Sequence, residues 1–479
     1  MASIKKNFVY QIAYQVVATV LPLVTSPYLS RKLGADNLGI YSYTLSIANY
    51  FMIFAMLGFV NYGTRCIAAV KNDAEERNKR FSEIYYLQLL LAGFITIIYV
   101  AGIIMMDSDN KIVAILQSLW ILSCMFDVTW YYGGIENFKL ITTRNFIVKI
   151  LTVVSIFVFV RTPEDLWIYV LIMAGGTFIS QLILMCSLIK ERVFCRVAVK
   201  DIYKHWKECF VLFIPILVTS SYNILGKTIL GMWCEYAESG YYYNADKLIN
   251  IPLCLITSVG TIMLPRMTSL YVEQKADSSN AMIRKTIDLV TCLSSVMMFG
   301  ILGVVKDFVP VFFGEEFIAC ISVCIILSAN IYFKSLSTTI RSVYLIPRKK
   351  DGEYVKTVSI ASIMNLIMNI ILIPRAGAIG VAISCVIAEG IVCIYQIVIA
   401  NRDVNLVEYL AKTWQYILFG IIMFVIIRRI AMLDMNIFYK LAMQISFGTI
   451  SYFALCFVWW YRKKEWIWRN VESFLKRKM

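Results

Sequence analysis

Long uncharged runs alternate with short charged segments along the whole chain. Asn7 to Ser30, Asn37 to Thr64, Ile84 to Met106, Leu166 to Ile189, Leu248 to Pro265, Thr357 to Pro374 and Leu441 to Tyr461 each approach or exceed the roughly 20 apolar residues with which a helix crosses a bilayer. Shorter or interrupted runs complete the set: Ile112 to Tyr132, Asn145 to Val160, Cys209 to Trp233, Leu289 to Val305, Phe317 to Phe333, Ala376 to Ala400 and Thr413 to Ile427. The pattern predicts an all-α, polytopic membrane protein of about fourteen transmembrane helices. The stretch after Lys5 and Lys6 is longer than the apolar part of a signal peptide and has no small-residue cleavage site, so it is expected to stay as the first helix.

Composition agrees with this pattern. The chain is 59% hydrophobic and 16% charged, more apolar surface than a soluble core of 479 residues hides. Thirteen cysteines lie mostly inside apolar runs, with no CxxC and no metal-ligand spacing, and read as small packing residues.

Charge then orients the helices. Of the 46 Lys and Arg residues, 33 fall in the set of alternate loops that contains both termini and 9 in the other set. Lys149, Lys227, Lys247 and Lys334 lie inside candidate helices. Because basic residues stay on the cytoplasmic side of short loops, both ends of the chain are expected in the cytoplasm, in agreement with an even helix count. The net charge of +15 is spread over many of these loops, which fits topology and anionic lipid headgroups better than a nucleic-acid partner.

A faint repeat divides the chain. Gly39-Ile40-Tyr41, after the first helix, resembles Gly240-Tyr241-Tyr242, after the seventh, at an offset of 201 residues. It predicts two six-helix lobes, residues 1–205 and 206–405, followed by two further helices over 406–461. The tail over 462–479 sets Trp466, Trp468, Val471, Phe474 and Leu475 among seven basic residues, as an interfacial helix does.

Motifs that suggest chemistry lack their context. Gly226-Lys227-Thr228 ends like a phosphate-binding loop, but Ser221 stands where that loop needs glycine and the surroundings are apolar. Asp107-Ser108-Asp109 has the form of a sugar-transferase metal motif on the side opposite the cytoplasm, where a solvated turn explains it. The single histidine, His205, sits in a basic loop, and neither HExxH nor GxSxG occurs. No metal, cofactor or enzymatic activity is expected. Ala376, Gly380, Ser384 and Ala388 recur every four residues, a face that lets membrane helices approach closely.

Several stretches resemble the Wzx-type O-antigen and capsule repeat-unit flippases, a polysaccharide-transporter branch of the superfamily that also holds multidrug and toxin extrusion transporters and peptidoglycan-precursor flippases. Pro27 to Gly39 reads PYLSRKLGADNLG, similar to the family's connection between helices one and two, and Trp130 to Glu136 reads WYYGGIE, with Gly133 where glutamine is usual. Gly240 to Leu248 (GYYYNADKL) and Val259 to Arg266 (VGTIMLPR) are similar to its eighth helix, and Phe313 to Phe317 (FGEEF) to its ninth-to-tenth loop. Leu372 to Glu389 resembles the eleventh-to-twelfth connection, while Gly226 stands where many members carry an acid.

The resemblance implies translocation of polyprenyl-pyrophosphate-linked oligosaccharides across the bacterial inner membrane. Such cargo requires a hydrated cationic cavity, because an ammonium in a low-dielectric site attracts a diphosphate strongly. Lys227, Lys247 and Lys334, with Asp246 beside them, are the candidate substrate-binding residues; snorkelling to headgroups or pairing with Asp246 explains each equally well. Lys149, near a helix end, fits snorkelling. Asp127 and Glu389 are candidates for ion coupling, with interhelical hydrogen bonding as the alternative. Expected partners are the lipid-linked substrate, anionic lipids and other polysaccharide-assembly membrane proteins. A multidrug antiporter of the same superfamily would call for buried acids rather than lysines, and a membrane-embedded polymerase or transferase for a large outer loop with a catalytic acid or base.

Overall fold

In the computed structural model the backbone is described for residues 2–106 and 109–463, and side chains for 21–106, 109–220 and 224–463. Asp107-Ser108 and all but the first two residues of the basic tail lie outside these. The described chain is helical throughout: α1 (Ala2–Met56), α2 (Phe59–Ala69), α3 (Ala74–Met105), α4 (Lys111–Met125), α5 (Thr129–Gly134), α6 (Phe138–Phe159), α7 (Leu166–Lys190), α8 (Val199–Tyr203), α9 (Trp206–Trp233), α10 (Tyr236–Val272), α11 (Ala276–Phe313), α12 (Cys320–Ile340), α13 (Asp351–Val404), α14 (Leu406–Ala411), α15 (Trp414–Ala431) and α16 (Ile437–Lys463).

Eleven of the described helical stretches are long and apolar enough to cross a membrane, or twelve if the bent pair Val199–Ser220 and Ile224–Trp233 counts as one. Large apolar side chains such as Ile97, Ile150 and Ile450 are exposed along them, as lipid contact demands. Two stretches, Leu21–Ala69 and Asp351–Val404, have 49 and 54 residues, about twice one crossing. Each contains one glycine with non-helical geometry, Gly34 (φ 77°, ψ 176°) in α1 and Gly377 (φ 51°, ψ −129°) in α13. Positive φ is where glycine alone avoids a Cβ clash. At Gly377 the chain turns back on itself: a Cβ on Gly380 would lie 2.6 Å from the Leu372 carbonyl oxygen, although eight residues of straight helix span roughly 12 Å.

The molecule forms two compact units, Met1–Tyr243 and Asn244–Met479. In the first, residues on both sides of Gly34 meet one segment. The Tyr28 hydroxyl donates to the Val160 carbonyl at 2.6 Å, and the Asn37 amide to that of Pro163 at 3.0 Å. The segment WYYGGIE builds core: Trp130 stacks on Phe81, its indole N–H donates to Gln88 Oε1 at 2.9 Å, and Gly63 leaves room for it, since a Cβ there would come within 2.4 Å of the ring. The two Gly-Ile/Tyr-Tyr segments of the faint repeat also touch within this unit. A Cβ on Gly39 would lie 1.7 Å from the Tyr236 carbonyl oxygen, and one on Gly240 2.1 Å from that of Ala35. Residues 39 and 240, like 35 and 236, are 201 apart, so the contact is reciprocal.

In the second unit, α15 and α16 pack on α11. Gly420 admits the Phe299 ring and Gly303 admits Ile427, while the Tyr452 hydroxyl donates to the Cys292 carbonyl at 2.8 Å. Gly380, Ser384 and Ala388 are all buried, as a close-packing face requires.

Candidate functional site

Of the residues singled out from sequence, the second unit brings three together. Lys334, on α12, lies 3.6 Å from Glu389 on α13. Asp246, on α10, acts electrostatically on the same ammonium, and its own carboxylate accepts from the Asn250 amide at 2.9 Å. Glu389 is 7% exposed but Lys334 keeps 36% of its side chain accessible, so the pair has a dry end and an open end. Lys247 follows Asp246 on α10 and is half-buried.

Lys227 and Asp127 belong to the first unit. Lys227 is half-buried on α9, its Nζ 5.9 Å from the centre of the Tyr242 ring, at the outer limit of a cation–π contact. Asp127 accepts from the Thr129 backbone N–H at 2.9 Å and from its hydroxyl at 2.6 Å, which holds the turn between α4 and α5.

Two polar sites escaped the sequence. The first joins Glu83, fully buried on α3, to Lys204 at 2.9 Å and to His205 Nε2 at 2.9 Å. His205 Nδ1 is bonded in turn to the Tyr62 hydroxyl at 2.7 Å, which donates to Glu208 at 2.7 Å. The network ties α2 and α3 to the start of α9. An acid in the apolar stretch Phe81-Ser82-Glu83-Ile84 was the signal available, but its partners lie some 120 residues on.

The second is a cavity of about 230 Å³ between α4, α6 and α7, lined among others by Trp120, Arg144, Asn145, Lys149, Thr177 and Gln181. Arg144 is buried, and donates to the Ser180 carbonyl at 2.6 Å, to Gln181 Oε1 at 3.0 Å and to Asn145 Oδ1. No Asp or Glu is among the described residues lining the cavity. Lys149 thus stands in a polar hollow of this unit, beside a second cation. A larger cavity of about 450 Å³, between α1 and α9, is mainly apolar.

Outside the spans, Lys350 is partly desolvated, yet hydrogen bonds to Asp403 and Tyr344, both 2.7 Å, hold its ammonium above the ordinary lysine range. Arg348 and Arg341 stack on Tyr344 and Tyr354 nearby.

An all-helical, multi-pass membrane fold with charged groups lodged inside its spans is that of a membrane transporter, and the comparisons agree. Residues 4–271 match the family model described as "Polysaccharide biosynthesis protein", so the chain belongs to that family. A protein named "Putative O-antigen transporter" from Escherichia coli (strain K12) is 22% identical, covering 85% of this chain and 98% of its own. The capsular polysaccharide biosynthesis protein CapF of Staphylococcus aureus is also 22% identical, covering 81% and 97%. Among solved structures, the lipid II flippase MurJ in an inward closed conformation superposes with a TM-score of 0.79 at 16% identity, over 96% of this chain and all of that one.

Proposed function

We propose that this protein is a flippase that moves polyprenyl-pyrophosphate-linked oligosaccharide repeat units from the cytoplasmic to the outer face of the bacterial inner membrane, for O-antigen or capsule assembly. The family match over more than half of the chain carries the reading. The relatives named for O-antigen transport and capsule synthesis, and the MurJ-like fold, support it. The protein is a transporter and no enzyme, and it needs no metal or cofactor.

In this reading the two long stretches open at Gly34 and Gly377, which turns twelve candidate spans into fourteen, with both termini cytoplasmic. The lobes are residues 1–205 and 206–405; the reciprocal contact of Gly39 and Gly240 supports a repeat at that spacing. Helices over 406–461 and the basic tail follow. Transport is by alternating access through a cationic cavity, with Lys227, Lys247 and Lys334 holding the pyrophosphate and Asp246 setting the charge balance. Asp127 and Glu389 are the candidates for ion coupling. The partners are the lipid-linked glycan, anionic lipids and the other membrane proteins of polysaccharide assembly.

Deleting the gene should leave lipid-linked repeat units accumulated on the cytoplasmic face and abolish surface polysaccharide. Accumulation on the outer face would point instead to a polymerase. In complementation, the double variant Lys227→Ala/Lys247→Ala should fail at unchanged membrane abundance, and arginine at both positions should restore part of the activity. Normal polysaccharide from the double alanine variant would remove both lysines from the site.

A further inference from the structure

Glu83, His205, Tyr62 and Glu208 form a line of three short contacts: His205 Nε2 to Glu83 at 2.9 Å, His205 Nδ1 to the Tyr62 hydroxyl at 2.7 Å, and that hydroxyl to Glu208 at 2.7 Å. Each contact needs a proton of its own. A neutral imidazole carries one N–H and a phenol one O–H, while an ionised carboxylate only accepts. Both carboxylates are ionised at neutral pH, Glu83 because the Lys204 ammonium lies 2.9 Å away and Glu208 because it is exposed. Two protons are then shared among three contacts. With the imidazole N–H directed at Glu83, Nδ1 and the Glu208 carboxylate compete for the single Tyr62 proton. Nδ1 belongs to a ring that is 1% exposed, whereas Glu208 can be hydrated, so the phenol turns to the ring and the link to Glu208 is the one that opens.

We propose that His205 is a proton-operated clamp on the start of α9. Uptake of one proton at Nδ1 lets the ring donate to the Tyr62 oxygen, which frees the phenol proton for Glu208 and fastens α9 to α2. Its loss returns the phenol proton to Nδ1 and releases Glu208. Only His205 changes charge; the tyrosine hydroxyl rotates. His205 lies in the turn between α8 and α9, ahead of the apolar run that begins at Cys209. Burial disfavours its imidazolium most, Glu83 on α3 favours it, and Lys204 in the same turn and Arg80 on α3 oppose it, which together hold the imidazole below the ordinary histidine range. Asp201, 3.6 Å from Lys204, and the thiols of Cys66 on α2 and Cys209 on α9 complete the surroundings. The clamp is therefore open at neutral pH and closes as the pH falls below about 6.5.

His205 is the single histidine of the chain, so one labelled side chain reports the clamp, whatever the cargo. Full-length protein carrying nitrogen-labelled histidine, without a histidine tag, is placed in nanodiscs and its ring nitrogens are followed by NMR between about pH 8 and 5. Amide exchange over residues 209–212, which begin with the Cys209 N–H bonded to the His205 carbonyl, is measured in parallel and corrected for its intrinsic pH dependence. A neutral ring protonated at Nε2 is expected at about pH 8 and an imidazolium at about pH 5, with exchange slowing at least threefold over the same transition. Glu208→Gln supplies the missing proton, since its amide donates to the Tyr62 oxygen while the phenol donates to Nδ1. Exchange should then be slow at every pH and the His205 midpoint lower. Tyr62→Phe cuts the line and should leave exchange fast throughout. Because Glu208 is exposed, its variant does not hinge on folding. A proton on Nδ1 rather than Nε2 at about pH 8, a ring that does not titrate in this range, exchange indifferent to its protonation, or a Glu208→Gln variant that follows pH as the parent does would each overturn the clamp.

Discussion

Lys334 and Lys149 are the same side chain on spanning helices of the two units, and the protein treats them in opposite ways. Lys334 has Glu389 at 3.6 Å and Asp246 within electrostatic reach. Lys149 shares its cavity with Arg144 of the same helix, and no acid is among the described residues that line it. In a soluble protein both would be solvated and the difference would count for little. In a membrane each charge must be met by another charge, by water or by a ligand, so the surroundings indicate which of these the molecule relies on. The pair on α12 and α13 is met from within the chain. The lysine on α6 has no such partner among the described residues.

The Glu83 site marks the extreme of this contrast, a wholly buried carboxylate met by the Lys204 ammonium and the His205 imidazole. Glu83→Ala is therefore expected to have the largest effect, a loss of about 3 kcal/mol as Lys204 loses its counter-charge and His205 Nε2 its buried hydrogen-bond partner, seen as a lower unfolding temperature of the purified protein and reduced membrane abundance. A variant as stable as the parent would show that the network is ornamental and would weaken the comparison. Next comes Lys334→Ala, which strands Glu389 at the dry end of its pair. Because Lys334 is partly exposed, screening reduces the loss to about 1–2 kcal/mol, and the double variant Lys334→Ala/Glu389→Ala should recover more than half of it in thermal unfolding. The smallest effect belongs to Lys149→Met. Removing a cation that has no partner, in favour of an apolar side chain of similar length, should change stability by less than about 0.5 kcal/mol or raise it. A drop as large as that of Lys334→Ala would mean that Lys149 is paired after all and would erase the difference between the units.

The apolar runs made the helices legible, since lipid imposes the same simple pattern on every span. The two glycine segments that suggested a repeat lie in contact, because only a residue without a Cβ admits a carbonyl so closely at both places. Each of the two long stretches reads in sequence as two runs, parted by Arg31, Lys32 and Asp36 in the first and by Arg375 in the second, close to Gly34 and Gly377 where the helix breaks. Asp127 stood out as an acid inside a span and Trp130 as part of a motif; in the structure the first holds the turn before α5 and the second packs in the core. What sequence reasoning missed were polar groups paired at long range. Arg144 counted as one more basic residue of a loop and His205 as the single histidine of a basic loop, while Glu83 drew no reading. Their significance depends on neighbours 36 to 122 residues away, which no local period encodes.

The reciprocal glycine contact has a consequence for how the chain is made. Ala35 and Gly39 leave the ribosome early, but the surface they fit against, Tyr236 to Gly240, is 201 residues later. At the usual pace of synthesis, about 5–20 residues per second, the first helices wait roughly 10–40 s in the bilayer before that partner exists. During that interval the bare face at Gly39, with its unshielded backbone, is open to wrong helices. A bulky residue at Gly39 would therefore harm the protein twice, once in the finished packing and once by prolonging the search for a partner, and the second harm should ease when translation is slowed at a point after residue 240 has been inserted.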